Sequence, residues 1–411
     1  MSNVFLNLMR NNIALIAFLA VFFLINIATA TRYPDTWTDE VMYIDSAINL
    51  AEGNGFNSSA WPSQSKDEFW SSNSPLYSLL QAGWIKIFGP EVYTTRILSY
   101  IFGMISVFLI SIGLKNFNLV RSKILRNTSV VFLLMLFPIA YAYRIGRPDV
   151  VCLLLSSSTF AAASFQSSRL RDTLLVFSAM LTPFANLSVV FFILTVICIG
   201  FLFFRRKILR DVVLISVGIG LGILFLLGFY WLNDSLNSFL MITVGSGHTL
   251  LGQIAQYIVF DDNRVIEKLK VLPSTYLQSL FYWPYTSLLL FFSYLLLLLP
   301  KVNRNKINYF FIASMFSVPL ILILIGEYSW LMSWMNISIL TIAIFYSIDH
   351  LGWRNNFKIL SSSLLPLFLC ASIGFPWMVG ITISEWDERS REPIENFAEK
   401  HITPDDNVVV D

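Results

Sequence analysis

Asp39 and Glu40 stand side by side in DTWTDEVMYIDSAINL, residues 35–50, just beyond the first apolar run of the chain. A carboxylate in such a place can take the proton of an attacking hydroxyl, and a second one beside it can orient the acceptor or hold a divalent metal such as Mg²⁺ or Mn²⁺. Acids at a helix start also suit the helix dipole, so the pair acquires chemical meaning only through its partners. A second charged stretch, YRIGRPDV (143–150), squeezes Arg144, Arg147 and Asp149 between two apolar runs. Charges near hydrocarbon cost about 2.5–3.5 kcal/mol each on insertion scales unless they snorkel or line a cavity. The two arginines either snorkel or form an electropositive lip for an anion, and Asp149 is either an arginine partner or a metal ligand. Arg96 is a further arginine at that depth. GEYSW (326–330) sets Glu327 and Tyr328 at a membrane boundary, where they are candidates to face the same cavity as acceptor or metal contacts. GSGH (245–248) adds His248 beside a Gly-Ser-Gly turn whose backbone N–H groups suit a phosphate, although lone turns of this kind are common.

These groups must be mounted on something, and composition says what. Of 411 residues, 56% are hydrophobic and 13% charged, against about 25% charged in ordinary globular domains. Apolar runs near 20 residues recur from residue 13 to 380, each long enough to cross about 30 Å of hydrocarbon as a helix. The fold class is therefore an all-α polytopic membrane protein with about eleven transmembrane helices. They fall near 12–30, 92–114, 129–143, 149–166, 173–185, 187–204, 211–232, 277–299, 307–326, 331–348 and 359–380. The fifth and sixth are separate, or one helix broken at TPFAN (182–186), where Pro183 removes a backbone donor. Ala28 to Ala30 is similar to a signal-peptidase site, but the run before it exceeds a usual h-region and many spans follow.

Charge sets the orientation. Sixteen of the 28 basic residues and only three of the 26 acids (Asp172, Asp211, Asp349) fall on one set of loops, which the positive-inside rule makes cytoplasmic. The N-terminus is then inside, the C-terminus outside, and every long polar loop outside. Cys152, Cys198 and Cys370 lie far apart within apolar runs and read as small core thiols, and His248, His350 and His401 are too isolated for a histidine-based zinc site.

The first outer loop, 31–90, is too long for a connector. Thr36 with Asp39 three residues on is a capping-box pattern, and Val41, Ile44, Ile48 and Ala51 repeat at helical spacing until Gly53-Asn54-Gly55. In SPLYSLLQAGWIKIFGP (74–90), Pro75 suits a helix start and Gly89-Pro90 a stop, with Leu76, Leu79, Leu80, Trp84 and Ile87 as an apolar stripe. Both read as amphipathic helices lying on the membrane surface. The chain divides into a transmembrane domain, 1–383, and a polar segment, 384–411, that reads as helix, turn and strand. A three-valine strand has no partner here, so an extracytoplasmic domain is expected to continue beyond Asp411.

The order of WTDE, YIDSAINLAEGNGF, NSPLYSLLQAGWIKIFGP, TTRILSYIFG and YRIGRPDVV resembles the GT-C superfamily of membrane glycosyltransferases. The nearest branch is the one holding protein O-mannosyltransferases and the aminoarabinose transferase for lipid A. The resemblance is carried by residues 12–165 and elsewhere by the span pattern. It implies a polyprenyl-phosphate sugar donor, an acceptor that is protein, lipid or glycan, and inverting transfer on the outer side of a bacterial inner membrane. It also implies that Asp39 is the catalytic carboxylate and Glu40 the second acid of its pair. Arg96, Arg144 and Arg147 are then donor-phosphate contacts. The GEYSW loop departs from the pattern by lacking a basic residue. No Walker loop or GxGxxG motif points to a nucleotide sugar, and nothing suggests nucleic acid. A lipid-linked-sugar flippase, or an O-antigen-type polymerase or ligase, shares the span pattern. A transporter has no need of two interfacial helices in its first loop, and internal repeats typical of transporters are not visible.

Overall fold

In the computed structural model, which describes residues 13–36, 38–60, 64–204, 208–245, 305–306, 308–314, 316, 333–351 and 372–401, every regular element among the described residues is a helix. Uninterrupted apolar sequence leaves the backbone no partner but itself, and the helix satisfies each N–H and C=O internally. The chain enters through α1 (Ile13–Ala28), then forms α2 (Thr38–Glu52) and α3 (Leu76–Phe88) within the first outer loop. Next come α4 (Val92–Asn116), α5 (Lys123–Met135), α6 (Phe137–Arg144) and α7 (Asp149–Ser164). They are followed by α8 (Arg169–Ala185), α9 (Leu187–Phe204), α10 (Leu209–Leu232) and α11 (Leu236–Gly245). The remaining labelled elements are α12 (Trp334–Leu351), α13 (Phe375–Ser384) and α14 (Glu392–His401).

Among the described residues, α4, α9 and α10 are individually long and apolar enough to cross a membrane, and α5 with α6 are so only taken together, as a broken span or a re-entrant loop bent by 62°. The bend falls within the third span expected over 129–143. Leu136 is extended between the two helices, and Pro138 near the start of α6 cannot continue the α5 ladder. Gly374 seats against this break, where a Cβ would collide with the Met135 carbonyl and sit 2.6 Å from the Phe137 nitrogen. The fifth and sixth apolar runs are separate helices. Asn186 between them is extended, and its Oδ1 accepts from the Ser188 N–H at 2.7 Å as a helix cap does. The runs expected near 277–299 and most of 307–326 and 359–380 lie outside the described residues, as does the expected C-terminal strand.

α10, α8, α7 and α4 pack in sequence, each against the next. Gly218 and Gly222 bring α10 onto α8: a Cβ at 218 would lie 2.5 Å from the Val176 carbonyl, and one at 222 would overlap that of Met180. Small residues four apart let two backbones approach this closely. Cys152 is buried as expected, but Cys198 faces outward on α9 and is not a core thiol.

The two helices of the first outer loop pack Ile44, Ile48, Ala51, Leu76 and Leu79 of the predicted stripes against the core but leave other stripe members outside it. α2 buries Glu40, Tyr43, Ile44 and Ala47 and leaves Val41 exposed, while α3 buries Tyr77, Ser78, Gln81, Ala82 and Ile85 and leaves Leu80 and Ile87 exposed. Their mutual packing explains this. Ser78 Oγ donates to the Tyr43 carbonyl at 2.9 Å, Tyr43 meets the rings of Trp70 and Tyr77 edge-on, and Gln81 Nε2 reaches both the Tyr77 hydroxyl and the Thr95 carbonyl at 2.8 Å. Asp45 pins the rest of the loop by accepting from Ser58 Oγ, Ser59 N and Ala60 N at 2.9, 2.7 and 3.2 Å. Each buried face is thus mixed, polar groups such as Glu40, Ser78 and Gln81 standing among apolar ones, while Val41, Leu80 and Ile87 look out.

Candidate active site

The site begins at the turn after α1, residues 29–36, whose backbone belongs to neither α1 nor α2. Two arginines from later helices hold it. Arg96, in the first turns of α4, donates through Nη1 to the carbonyls of Ala30 and Pro34 at 2.5 and 2.8 Å. Arg144, the last residue of α6, donates to Asn26 Oδ1 at 2.7 Å, Thr29 Oγ1 at 2.9 Å and the Tyr33 carbonyl at 2.6 Å. Neither guanidinium reaches solvent. Arg144 lies between the rings of Tyr100 and Phe375, 6.0 and 5.6 Å from their centroids, where the ring faces favour a cation.

Glu40 is the anion of this arrangement. Arg96 grips it by two parallel bonds, Nε to Oε1 at 2.7 Å and Nη2 to Oε2 at 2.5 Å. The Glu40 side chain is 3% exposed. Such a bidentate pair is strong and directional, and here it fixes α2 against α4. Gly146 passes directly over it, and a Cβ there would fall 2.7 Å from both Cγ and Oε1 of Glu40. The glycine in YRIGRPDV is thus a matter of space, a requirement the sequence shows only as a small residue between two arginines.

Asp39 points the other way. Its side chain is 37% exposed, and Oδ2 is bound by Nη1 of Arg147. Among the described residues, Oδ1 has no hydrogen-bond partner. Arg147 extends the chain of contacts, donating from Nε to Asp149 Oδ2 at 3.1 Å, and Asp149 Oδ1 accepts from the indole N–H of Trp334 at 3.4 Å. The two carboxylates beside Arg147 hold its guanidinium above its ordinary pKa, against the opposing pull of burial. Trp334 is a member that sequence reasoning missed, since a tryptophan at a span end reads as part of an aromatic belt. Below it an apolar cavity of about 420 Å³ follows α9 from Phe192 to Phe204.

Of the residues singled out by sequence, Asp39, Glu40, Arg96, Arg144, Arg147 and Asp149 converge on this one turn, but into two groups. Glu40, Arg96 and Arg144 are buried, with only Arg144 Nε lacking a hydrogen-bond partner, which leaves the two arginines no surface to offer a lipid phosphate in this arrangement. Asp39, Arg147 and Asp149 line the accessible part. The capping box also differs, because α2 opens at Thr38 and Thr36 Oγ1 accepts from Arg391 instead. His248, Glu327 and Tyr328 lie outside the described residues. Among the described residues no group of three or more His, Cys, Asp or Glu side chains is placed to hold a metal. The two carboxylates that sequence offered to Mg²⁺ or Mn²⁺ do not fit that role: Glu40 is spent on Arg96, and Asp149 on Arg147 and Trp334.

No family model and no curated protein matches the sequence. Solved structures do share the fold. ArnT from Cupriavidus metallidurans bound to undecaprenyl phosphate superposes with a TM-score of 0.56 at 12% identity, over 86% of this chain and 62% of that one. The same protein in the apo state gives 0.55 at 13% identity, over 84% and 61%. The fold is that of ArnT, and among the described residues several helices are long and apolar enough to cross a membrane. The chain spans under two thirds of the length of the ArnT chain.

Proposed function

We propose that this protein is an inverting glycosyltransferase that moves a sugar from a polyprenyl-phosphate donor to an acceptor hydroxyl on the extracytoplasmic side of the membrane. The observation that carries the reading is the Asp39 carboxylate, held through one oxygen by Arg147 with the other open, on a fold whose ArnT example was solved with undecaprenyl phosphate bound. Asp39 Oδ1 takes the acceptor proton as the acceptor oxygen attacks the anomeric carbon. The bond from that carbon to the phosphate oxygen breaks, and polyprenyl phosphate leaves with the electron pair. One displacement with no enzyme-bound sugar inverts the anomeric centre.

The other residues take positioning roles. Arg147 orients Asp39 and is itself oriented by Asp149 and Trp334. Glu40, Arg96 and Arg144 hold the turn from which Asp39 projects, so these two arginines act through the backbone and not on the donor phosphate. The apolar cavity under Trp334 suits isoprenoid carbon.

The same reading places about eleven spans across the membrane with the N-terminus inside, as the distribution of basic residues requires. The exposed Leu80 and Ile87 then meet lipid, and α2 and α3 lie along the interface. Residues 1–383 form the transmembrane transferase domain and 384–411 an outer segment.

Release of polyprenyl phosphate from a labelled polyprenyl-phosphate sugar by the purified protein tests the proposal. Release that depends on Asp39 supports it, whereas movement of the intact donor across a vesicle membrane without release makes the protein a flippase.

A further inference from the structure

A phosphate donor presents an electrostatic problem that the described site does not solve. Asp39, Asp149 and Arg147 together sum to one negative charge. Arg96 is neutralised by Glu40, and Arg144 is sealed inside. A donor phosphodiester brings a further negative charge, and the departing phosphate carries more, so the reaction needs a cation from elsewhere.

The segment after α13 supplies one. Residues 385–391 fold back onto the turn that precedes Asp39. Arg32 donates to the Trp386 carbonyl at 3.0 Å and stacks on its indole at 4.9 Å. Arg389 pairs with Glu385 at 2.8 Å and Asp35 at 3.4 Å, and lies over the Tyr33 ring at 4.9 Å. Those contacts occupy Arg32 and neutralise Arg389. Arg391 differs: its bond is to the hydroxyl of Thr36, three residues before Asp39, and no carboxylate lies within ion-pair distance of it among the described residues. It is partly buried and close enough to feel the charges of Arg96, Glu40, Glu395 and Asp35, none of which pairs with it directly. A guanidinium tethered only by a neutral hydroxyl keeps its charge and most of its N–H donors for a planar or tetrahedral oxyanion.

We infer that Arg391 is the donor-phosphate contact of this enzyme, delivered to the site by the segment after the last described apolar helix. The inference rests on the glycosyltransferase reading and names the cation that reading requires. It also gives that segment a task, since anchoring it on the turn holds Arg391 at Thr36, three residues before Asp39.

Binding of undecaprenyl phosphate, undecaprenol and phosphatidylglycerol to the purified full chain, followed by native mass spectrometry, tests it. Arg391→Gln is expected to weaken undecaprenyl phosphate by about tenfold or more, as loss of a charge-assisted bond does. Arg391→Lys keeps part of that affinity, and undecaprenol binds all forms alike. Thr36→Val removes the tether hydroxyl but leaves the guanidinium, so it separates a phosphate contact from a merely structural one. It is expected to retain phosphate affinity, and a loss as large as that of Arg391→Gln overturns the inference. So does undiminished undecaprenyl phosphate binding by Arg391→Gln, or a defect confined to phosphatidylglycerol, which makes Arg391 a headgroup contact. A wild-type chain that binds no undecaprenyl phosphate overturns the donor reading itself, and the inference with it.

Discussion

Glu40 meets Arg96 through two parallel hydrogen bonds of 2.7 and 2.5 Å, with the glutamate 3% exposed and the arginine not at all. Its chain neighbour Asp39 is 37% exposed against Arg147. Adjacent residues on a helix point about 100° apart, and that rotation alone divides a carboxylate pair into one structural and one accessible member. The pair works as a unit only in the sense that the first is positioned by the second.

Asp39→Asn tests the accessible member. Asparagine keeps an oxygen for Arg147 but takes no proton, so turnover is expected to fall about 10²- to 10⁴-fold, the usual weight of a general base. Thermal unfolding of the detergent-solubilised protein stays near wild type, because Arg147 keeps an acceptor. Wild-type turnover in a folded Asp39→Asn protein would assign the proton elsewhere.

Glu40→Gln tests the buried member and gives the opposite pattern. It strands the Arg96 charge in the interior, at a cost of about 3–5 kcal/mol. The expected readout is a lowered unfolding midpoint, with activity falling in step with the folded fraction. Adding Arg96→Met removes the stranded charge and recovers part of the loss, although the Ala30 and Pro34 carbonyls stay unpaired. The two changes therefore do not add, and a double-mutant cycle measures by how much. Strict additivity would argue against a coupled pair.

Gly146→Ala places a methyl 2.7 Å from Glu40 and forces either the loop or the ion pair to move. A cost of about 1–3 kcal/mol is expected from the overpacking. Transfer activity should drop by more than the lost stability explains, since Arg147 is the next residue. Comparing turnover per folded molecule with wild type decides it, and an unaltered value would show that the loop yields freely.

Gly222→Leu tests the frame instead of the site. The α8 backbone leaves no room for a Cβ there, so the side chain drives α8 and α10 apart. A loss of folded, monodisperse protein on size-exclusion chromatography is expected, while Gly220→Leu, with open space around it, behaves as wild type.

Much was legible before any coordinates. Long apolar runs dictate helices because hydrocarbon leaves the backbone no other partner, and the observed bounds of α4, α9 and α10 lie within two residues of the runs. Gly53-Asn54-Gly55 and Gly89 end their helices where their freedom predicts, with φ of 86° and 97° at the first pair of glycines and 88° at the third. The acid pair and the arginines of the short loop were visible as charges in places where charge is costly.

What sequence could not supply was the partner of each charge. Arg96 and Glu40 are 56 positions apart, and Arg144 reaches the turn across 111 positions to Tyr33. Whether a buried arginine meets a ligand or a carbonyl depends on which backbone passes within 3 Å of it, and no local periodicity encodes that distance. The same holds for the faces of α2 and α3, where packing against each other buried Glu40, Ser78 and Gln81 and left Val41, Leu80 and Ile87 exposed. Residue type and spacing determined that this chain lies in a membrane and carries a charged site near its first span. Only the tertiary structure decided that Arg96 and Arg144 brace the turn while Arg147 stands beside Asp39, because the energy of a charge in a low-dielectric interior is set by what touches it.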